Sequence, residues 1–300
     1  MNTFSILIPT YNRKEKLKKV LEAVAQQMGI ENGEVVVGID GSSDGTEEYV
    51  RSLAADFPAA LRYFFISNSG RAVVRNRLLE AAKGDIILFI QDDIIVTPGW
   101  LEAHLDFHRR TRGALVGFIT WYPEANITPY MRWLEDGGHL LRFKGLSNGT
   151  ETDFWHFYTG NISFPSDLVS DLRFDESFQG YGWEDILFGY EFARRGRKVY
   201  YSSSAKVYHW DEYREEDLEA YMTRVAQSAR LAEKKHPRVG FVPPCWKKAL
   251  LFFSIWLSRP LWFLLPRRWK WYLHMKQTFL RALKAPYAPA KPTRHRSAGS

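Results

Sequence analysis

The sequence predicts an α/β fold in which helices cover a parallel sheet. Over the first 120 residues, short apolar segments alternate with segments whose apolar residues recur at helical spacing. The apolar segments hold few polar residues, so we expect their strands to be buried on both faces, as in parallel sheets. The predicted strands are 4–8, 35–40, 61–66, 86–90 and 114–120, and the predicted helices between them are 14–27, 45–57 and 71–83.

The composition fits a globular protein from a reducing compartment. The 300 residues are 45% hydrophobic and 25% charged, which supplies enough apolar side chains for a sizeable core. The single cysteine, Cys245, excludes an internal disulfide framework. The chain passes from Met1 directly into the apolar segment 4–8, without the basic start and long apolar stretch of a signal peptide. We therefore expect a cytosolic protein body.

The positive charge is concentrated towards the C-terminal end. The net charge is +7, but twelve of the 41 Lys and Arg residues lie between Trp246 and Ser300, where there is no Asp or Glu. The first 245 residues therefore carry 29 basic and 34 acidic residues, a net charge of −5. A mildly acidic body argues against general nucleic-acid binding, so the basic segment needs a local explanation.

Polar residues cluster where the predicted strands end. Thr10-Tyr11-Asn12 follows the first strand, Asp40-Gly41-Ser42 ends the second, and Asp92-Asp93 follows the fourth. Ligands of parallel α/β sheets bind at the carboxyl ends of the strands. The adjacent carboxylates of Asp92 and Asp93 repel each other and suit a hard cation such as Mg²⁺ or Mn²⁺ on a diphosphate. A strand-terminating turn with solvated acids is the alternative for this pair taken alone.

Several short motifs follow one another in a fixed order along residues 3–210. They are Ile8-Pro9-Thr10-Tyr11-Asn12-Arg13, Asp40-Gly41-Ser42-Ser43-Asp44-Gly45-Thr46, Ala72 to Asn76, Gly84-Asp85, Phe89 to Asp93, Thr159-Gly160-Asn161, Phe174-Asp175-Glu176 and Gly182-Trp183-Glu184-Asp185. This ordered set resembles glycosyltransferase family 2. The resemblance implies a GT-A fold, with a Rossmann-like, mostly parallel sheet and flanking helices. It divides residues 1–243 into a nucleotide-binding half, 1–120, and an acceptor half, 121–243.

The resemblance implies how the nucleotide base is held. Pro9, Thr10 and Tyr11 would border the base, and Asp40 would hydrogen-bond a uracil-type ring, which suggests a UDP-sugar donor. The sequence departs from the family at Ile39, where an aspartate often stands. The aspartate that usually functions in this motif is the second one, which is present as Asp40.

The resemblance also implies how the diphosphate is held. Asp92 would lie near the ribose, and Asp93 would bind Mn²⁺ or Mg²⁺, although Gln91 replaces the aspartate that often begins this motif. Related enzymes have a metal-binding histidine at a place similar to His209, which the sequence puts a short loop after a strand at 198–201. A packed or surface histidine is the alternative. Arg75 is either a cation near the nucleotide or part of a structural ion pair.

A second acidic site is predicted at Trp183-Glu184-Asp185, at the start of a predicted helix over 185–195. Sugar transfer with inversion needs a base that removes the proton of the acceptor hydroxyl, and a carboxylate can do this. By resemblance Asp185 is that base and Glu184 holds an acceptor hydroxyl, while the Trp183 ring offers a face for a sugar. An N-terminal helix cap is the structural alternative, and it is compatible with catalysis.

The C-terminal segment has the composition of a membrane interface. Residues 249–265 are nearly all apolar, but Arg259-Pro260 interrupts them, and Trp beside Lys or Arg flanks both ends. We predict that 244–285 forms amphipathic helices lying on an anionic membrane surface. A hairpin packed on the catalytic domain and a dimer interface are the alternatives. Residues 286–300 are Pro-, Ala- and Arg-rich and are predicted to be disordered.

These observations predict an inverting, metal-dependent glycosyltransferase at the cytoplasmic face of a membrane, peripheral or shallowly inserted. The expected acceptor is a lipid-linked or membrane-proximal glycan in the synthesis of surface polysaccharide or glycoconjugates. Two rival hypotheses remain. Ile39 and Gln91 allow a catalytically silent membrane-bound nucleotide-sugar binder. A nucleotidyltransferase shares the nucleotide half but releases pyrophosphate and does not need the Trp-Glu-Asp site.

Overall fold

The computed structural model describes residues 3–137, 140–178 and 182–284. The chain divides into two compact units. The larger unit consists of Met1–Glu176 and Glu184–Glu212, and the smaller unit consists of Ser177–Trp183 and Tyr213–Ser300.

The larger unit is built on one sheet. Its strands in the described residues are β1 (Phe4–Thr10), β2 (Glu34–Asp40), β3 (Ala60–Ile66), β4 (Ile86–Ile90), β5 (Ile94–Val96), β6 (Ala114–Trp121), β7 (Glu151–Thr152), β8 (Asn161–Pro165) and β9 (Val199–His209). They lie in the order β3-β2-β1-β4-β8-β6-β9-β5, and β7 pairs with β9. The first four are parallel to one another, as predicted.

The sheet becomes mixed beyond β4. β8 lies between β4 and β6 and is antiparallel to both, so the predicted strand at 114–120 does not continue the parallel run. β8 begins at Asn161, the last residue of the motif Thr159-Gly160-Asn161. Sequence periodicity detects strands but does not give their neighbours, because pairing is decided by contacts between distant segments.

Helices cover the sheet. Those of the described larger unit are α1 (Lys14–Ala25), α2 (Thr46–Leu53), α3 (Arg71–Ala81), α4 (Trp100–Arg110), α5 (Pro129–Asp136) and α6 (Glu184–Arg194). The apolar strand residues are buried on both faces, in two separate core clusters. Gly38 in β2 lets α3 lie close to the sheet, since a Cβ there would be 2.7 Å from the Val74 side chain.

Helix α4 is not predicted by the sequence pattern. Its residue His104 is fully buried, with its ring nitrogens 2.7 Å from Ser163 Oγ and 3.0 Å from Asn161 Oδ1. Trp100 Nε1 also donates to Asn161 Oδ1, at 2.8 Å. Trp100 and Leu101 also lie in a core cluster, so apolar contacts and this buried polar network hold the helix together.

The prediction that His209 follows a strand by a short loop is wrong. β9 continues to His209, because it pairs with β6 and β5 along this length. The polar residues Ser202-Ser203-Ser204 interrupt the apolar pattern, so the sequence predicts a strand only at 198–201. His209 is thus the last residue of a strand within the sheet, where its position is fixed by backbone pairing.

The smaller unit is helical in its described residues. It contains α7 (Leu218–Lys235), α8 (Cys245–Ser258) and α9 (Arg267–Ala282), with short 3₁₀ helices at Glu215–Asp217 and Arg259–Leu264. The apolar helix α8 ends at Ser258, just before the Arg259-Pro260 interruption of the apolar segment. None of the helices in the described part of the chain has the length and apolar content needed to cross a membrane.

The boundary of the units differs from the predicted boundary at residue 243. α7 packs against α9, so this helix belongs with the C-terminal helices rather than with the sheet. An amphipathic pattern shows that a helix has a packing face but does not identify what covers it. The predicted disordered tail, 286–300, lies outside the described residues.

Candidate active site

Three neighbouring strands end in polar residues at one edge of the sheet. β1 ends at Thr10 and β2 at Asp40, while Asp92 and Asp93 follow the end of β4. The parallel pairing places these ends side by side. Thr10 Oγ1 donates a hydrogen bond to Asp92 Oδ2 at 2.8 Å. The polar residues at the ends of β1 and β4 are therefore in contact.

Asp40 faces the beginning of α3. Its carboxylate accepts hydrogen bonds from the backbone N–H groups of Ser69 at 2.7 Å and Gly70 at 3.0 Å. Burial raises the pKa of this carboxyl, although the two hydrogen bonds oppose the shift. Pro9 and Tyr11 are partly buried at the neighbouring strand end. The roles of these residues towards a nucleotide base remain predictions.

Asp93 lies within a group of possible metal ligands. One ligand atom each of Asp93, His209 and Asp211 lies within 4.8 Å of the other two. His209 Nε2 is 3.6 Å from Asp93 Oδ2, and the imidazole stacks on the Trp121 ring at 5.5 Å. The Trp210 backbone N–H donates to the Asp93 carbonyl oxygen at 2.7 Å, which holds the segment after β9 beside Asp93.

Two basic side chains face the same carboxylates. The Arg13 guanidinium pairs with Asp93, lies 3.5 Å from Asp92 Oδ1 and donates to Asp211 Oδ2 at 3.2 Å. Lys16 Nζ is 2.9 Å from Asp211 Oδ1. Burial raises the pKa of Asp93, but His209 and Arg13 outweigh burial and hold it well below its usual range. For Asp92, burial outweighs Arg13 and raises the pKa to about 6.

The group fits a divalent cation by its chemistry. Two carboxylates and an imidazole are suitable ligands for Mn²⁺, and Mg²⁺ favours the oxygen ligands. Within the described residues, Asp93 Oδ1 is a buried oxygen with no hydrogen-bond partner. A buried carboxylate oxygen without a partner is costly, and coordination of a cation would compensate it. The structure thus brings His209 and Asp93 together, and their role as metal ligands remains a prediction.

Helix α6 begins with two acids in different surroundings. Glu184 is buried, and its Oε1 accepts from Arg75 Nη1 at 2.8 Å. Burial raises the pKa of Glu184, but Arg75 and Arg71 outweigh burial and lower it. Asp185 is only partly buried and accepts from the Ile186 backbone N–H at 2.8 Å. Burial and then the charge of Glu184 raise its pKa to about 6.

Arg75 therefore forms a structural ion pair, one of the two alternatives left by the sequence. Its guanidinium also lies 5.5 Å from the centre of the Phe174 ring. Glu184 is held by this pair, which leaves Asp185 as the more accessible carboxylate at the start of α6. The predicted contact of Glu184 with an acceptor remains a prediction.

The pairing of β4 with β8 brings the two acidic sites to the same end of the sheet. Ile90 of β4 pairs with Asn161 of β8. The backbone N–H of Thr159, just before β8, donates to Asp185. Arg71, at the start of α3, lowers the pKa of both Asp92 and Glu184, so it lies close enough to influence both sites. The short segment before β8, which contains Thr159, and the side chain of Arg71 thus connect the two sites.

Trp183 belongs to the smaller unit. Its Nε1 donates to the Val225 carbonyl oxygen at 2.9 Å, and its ring packs edge-on against Phe241 at 5.2 Å. Its backbone φ of 75° lies in the left-handed region, which is costly for a bulky residue. The contact of Trp183 with an acceptor sugar remains a prediction.

Sequence reasoning missed Arg13, Asp211 and Arg71 as site residues. For Asp211 a signal was available, because His209 and Asp211 are two residues apart and side chains at that spacing share one side of an extended chain. For Arg13 the only signal was its place in the first motif. Neither signal shows that these residues meet Asp93, which depends on the tertiary structure.

Comparison with known sequences supports the resemblance. The sequence model of "Glycosyl transferase family 2" matches residues 5–169. "Uncharacterized glycosyltransferase YfnE" of Bacillus subtilis is 30% identical over 239 residues, covering 64% of this chain and 60% of that protein. A Campylobacter jejuni protein, "GalNAc(5)-diNAcBac-PP-undecaprenol beta-1,3-glucosyltransferase", is 27% identical over 188 residues, covering 60% and 57%. The match thus spans less than two thirds of the length of either relative.

Solved structures share the fold. A mannosyltransferase from Pyrobaculum calidifontis, in complex with GDP-Man and Mn²⁺, has a TM-score of 0.67 at 18% identity, covering 94% of this chain and 85% of that one. TarS 1–349 of S. aureus, in complex with UDP, has a TM-score of 0.56 at 19% identity, covering 94% and 90%. The predicted GT-A-like α/β fold is therefore confirmed. Since the family model matches more than half of the chain, the protein belongs to glycosyl transferase family 2.

Proposed function

We propose that this protein transfers a sugar from a nucleotide-sugar donor to a glycan hydroxyl, with inversion and with a divalent cation on the donor diphosphate. One observation carries the proposal. The carboxylates beside His209 and the carboxylate of Asp185 lie at the same end of the sheet, connected through the β4–β8 pairing. A transferase needs such an arrangement, because donor and acceptor must meet.

The donor side is proposed to hold the diphosphate through a cation. Mn²⁺ or Mg²⁺, bound by Asp93, His209 and Asp211, would neutralise the negative charge that develops on the leaving diphosphate. The buried Asp93 Oδ1 without a hydrogen-bond partner supports this assignment. The solved neighbours also hold nucleotides, UDP in one and GDP-Man with Mn²⁺ in the other. We propose a UDP-sugar as donor, with Asp40 contacting the base.

Asp185 is proposed to act as the base. Its carboxylate takes the proton of the acceptor hydroxyl while the hydroxyl oxygen bonds to the anomeric carbon. The bond between that carbon and the diphosphate oxygen breaks in the same displacement, and the nucleoside diphosphate leaves. Attack from the side opposite the leaving group inverts the configuration. A pKa of about 6 leaves Asp185 ionised at neutral pH yet more basic than an ordinary aspartate.

Glu184 and Arg75 are proposed to position this base. Their ion pair is buried on both sides, which fixes the first turn of α6. The negative charge of Glu184 also contributes to the raised pKa of Asp185. The pair therefore sets both the place and the basicity of the proton acceptor.

The acceptor is proposed to be a lipid-linked or membrane-proximal glycan at the cytoplasmic face of a membrane. The relative from Campylobacter jejuni carries undecaprenol in its name, which supports a lipid-linked acceptor. The concentration of basic residues after Trp246, with no acid among them, supports a location at an anionic surface. The single cysteine fits a reducing compartment.

A donor panel tests the proposal. Purified protein is incubated with different nucleotide sugars, with Mn²⁺, with Mg²⁺ or with a chelator, and slow donor hydrolysis is measured. We expect metal-dependent release of a nucleoside diphosphate from one class of donor. Release of pyrophosphate from a nucleoside triphosphate would instead indicate a nucleotidyltransferase. Tight donor binding without hydrolysis or transfer under any metal condition would indicate a silent binder.

A further inference from the structure

Helix α8 exposes a continuous apolar face. Trp246, Leu250, Phe253 and Leu257 recur at a spacing of four, three and four residues, so they share one side of the helix. Each of these side chains is between 56% and 60% exposed. Exposed apolar residues that line up in this way mark a binding surface more often than scattered ones do.

The opposite face of α8 already has its packing partner. Leu251 and Ile255 lie in one cluster with Leu273 and Leu280 of α9, and Ile255 is 6% exposed. Since this second face attaches the helix to its own unit, the exposed face is not needed for that attachment.

The apolar surface continues beyond the end of α8. In the 3₁₀ helix that follows, Phe263 is 75% exposed and Leu264 is 67% exposed. We call the combined surface the apolar ridge. Its members are Trp246, Leu250, Phe253, Trp256, Leu257, Trp262, Phe263 and Leu264.

The charges within the segment that carries the apolar ridge have one sign. Lys247 and Lys248 accompany its first end, Arg267 and Arg268 follow its last, and no Asp or Glu occurs from 246 to 284. Arg267 pairs with Glu215, outside this segment, at 2.8 Å. Lys247 Nζ lies 5.2 Å from the centre of the Trp246 ring. Cations thus border an aromatic-rich apolar surface, as at the headgroup boundary of a membrane, where both kinds of side chain are stabilised.

We propose that the apolar ridge docks on an anionic lipid surface. Its aromatic and aliphatic side chains enter the boundary between headgroups and acyl chains, and the adjacent lysines and arginines contact lipid phosphates. The uniform positive charge favours a lipid leaflet over a protein partner, whose surface would normally carry both signs. This docking rests on the membrane location proposed above and assigns it to a defined surface of the protein. Membrane binding can be measured without donor or acceptor.

Vesicle flotation with the full-length protein tests the docking. We expect the protein to float with vesicles of mixed phosphatidylglycerol and phosphatidylcholine, and much less with pure phosphatidylcholine. High salt should release only part of it, because salt screens the cations but leaves apolar burial in place. Absence of binding to the mixed vesicles, or complete release by salt, would overturn the proposal.

Two sets of variants separate the apolar from the charged contribution. The double variant Trp256→Ser with Phe263→Ser should bind mixed vesicles at least about tenfold more weakly, since two exposed rings no longer leave water. Met28→Ser, which removes an 87% exposed apolar side chain of the larger unit, is the control and should bind normally. The triple variant Lys247→Gln, Lys248→Gln and Arg268→Gln should lose the preference for anionic vesicles. Its control removes three exposed charges elsewhere, by Lys18→Gln, Arg51→Gln and Arg77→Gln.

Unaltered vesicle binding by the ridge variant, with an unchanged circular dichroism spectrum, would overturn the proposal. The proposal would also be overturned if the unaltered protein did not bind vesicles and was dimeric while the ridge variant was monomeric. The ridge would then be the contact surface between two copies of the chain. Donor hydrolysis is measured on the same preparations. A protein that binds vesicles without hydrolysing any donor would contradict the proposed transfer but support the docking. A protein that hydrolyses a donor but does not bind vesicles would support the transfer and contradict the docking.

Discussion

The two acidic sites of the larger unit balance their charges differently. Beside His209, the three carboxylates of Asp92, Asp93 and Asp211 face the cations of Arg13 and Lys16. At the start of α6, Arg75 pairs with Glu184, and Asp185 is next to them. In each site burial raises the pKa of one carboxyl to about 6 while cations keep its neighbour ionised.

The difference lies in the number of carboxylates relative to the cations that face them. Beside His209, an excess of carboxylates and a buried Asp93 oxygen without a hydrogen-bond partner suit one more cation. At α6, Arg75 already pairs with Glu184, although in the described residues Glu184 Oε2 and Arg75 Nε are buried without a hydrogen-bond partner, and Asp185 is the partly exposed group. Similar residues therefore suit the two tasks proposed above, binding a cation at the first site and accepting a proton at the second.

The largest effect is expected from Asp93→Ala. This variant should lose both metal-dependent donor binding and turnover, because the cation on the diphosphate loses a central ligand. Donor affinity is measured by titration calorimetry with and without Mn²⁺. Asp167→Ala is the control, because this exposed carboxylate pairs with Arg112 on the surface. Near-normal transfer by Asp93→Ala in Mn²⁺ would remove Asp93 from the metal role.

Asp185→Asn should separate the second site from the first. The amide keeps the size of the side chain but takes no proton at neutral pH, so transfer should fall by about 10²- to 10⁴-fold. Donor affinity should stay unchanged. Glu191→Gln, on the same helix, removes a carboxylate that pairs with Arg194 and Arg195 and serves as control. If transfer decreases by less than tenfold, another residue is the base, and Glu184 is the first one to test.

Arg75→Gln should mainly reduce stability. It leaves the Glu184 carboxylate buried without its cation, which lowers the free energy of unfolding by about 3–5 kcal/mol. Urea unfolding measures this change. Arg77→Gln on the same helix breaks only an exposed pair with Glu80 and should change stability by less than about 1 kcal/mol. Equal stability losses in the two variants would mean that the buried pair has no special role in holding α6.

The smallest effect is expected in the pH dependence of transfer, which tests the base role of Asp185. Asp185 accepts a proton only as carboxylate, and its pKa is raised to about 6, so the rate should fall as the pH drops through that value. Below it, the decrease approaches about tenfold per pH unit. In Glu184→Gln the like charge that raises this pKa is removed, so the midpoint should move to lower pH. A rate that stays constant between pH 7 and 5, at constant donor binding, would contradict Asp185 as the base.

The local elements and the most important acids can be identified from the sequence alone. The parallel strands β1 to β4 and their helices were predicted with small shifts at their ends, because apolar spacing depends on local burial. Asp40, Asp92 and Asp93 were found at strand ends, where such sheets bind ligands. The order of the motifs along the chain was enough to identify the family.

Which residues share a site becomes visible in the tertiary structure alone. Arg13 reaches Asp93 across 80 residues and Asp211 across 198 residues, separations at which sequence patterns give no information. The insertion of β8 between β4 and β6, which brings Asp185 to the same end of the sheet as Asp93, is likewise absent from local periodicity. The physical reason is that a helix or strand pattern reflects which side of an element is buried, whereas ion pairs and strand order depend on which distant elements cover that side.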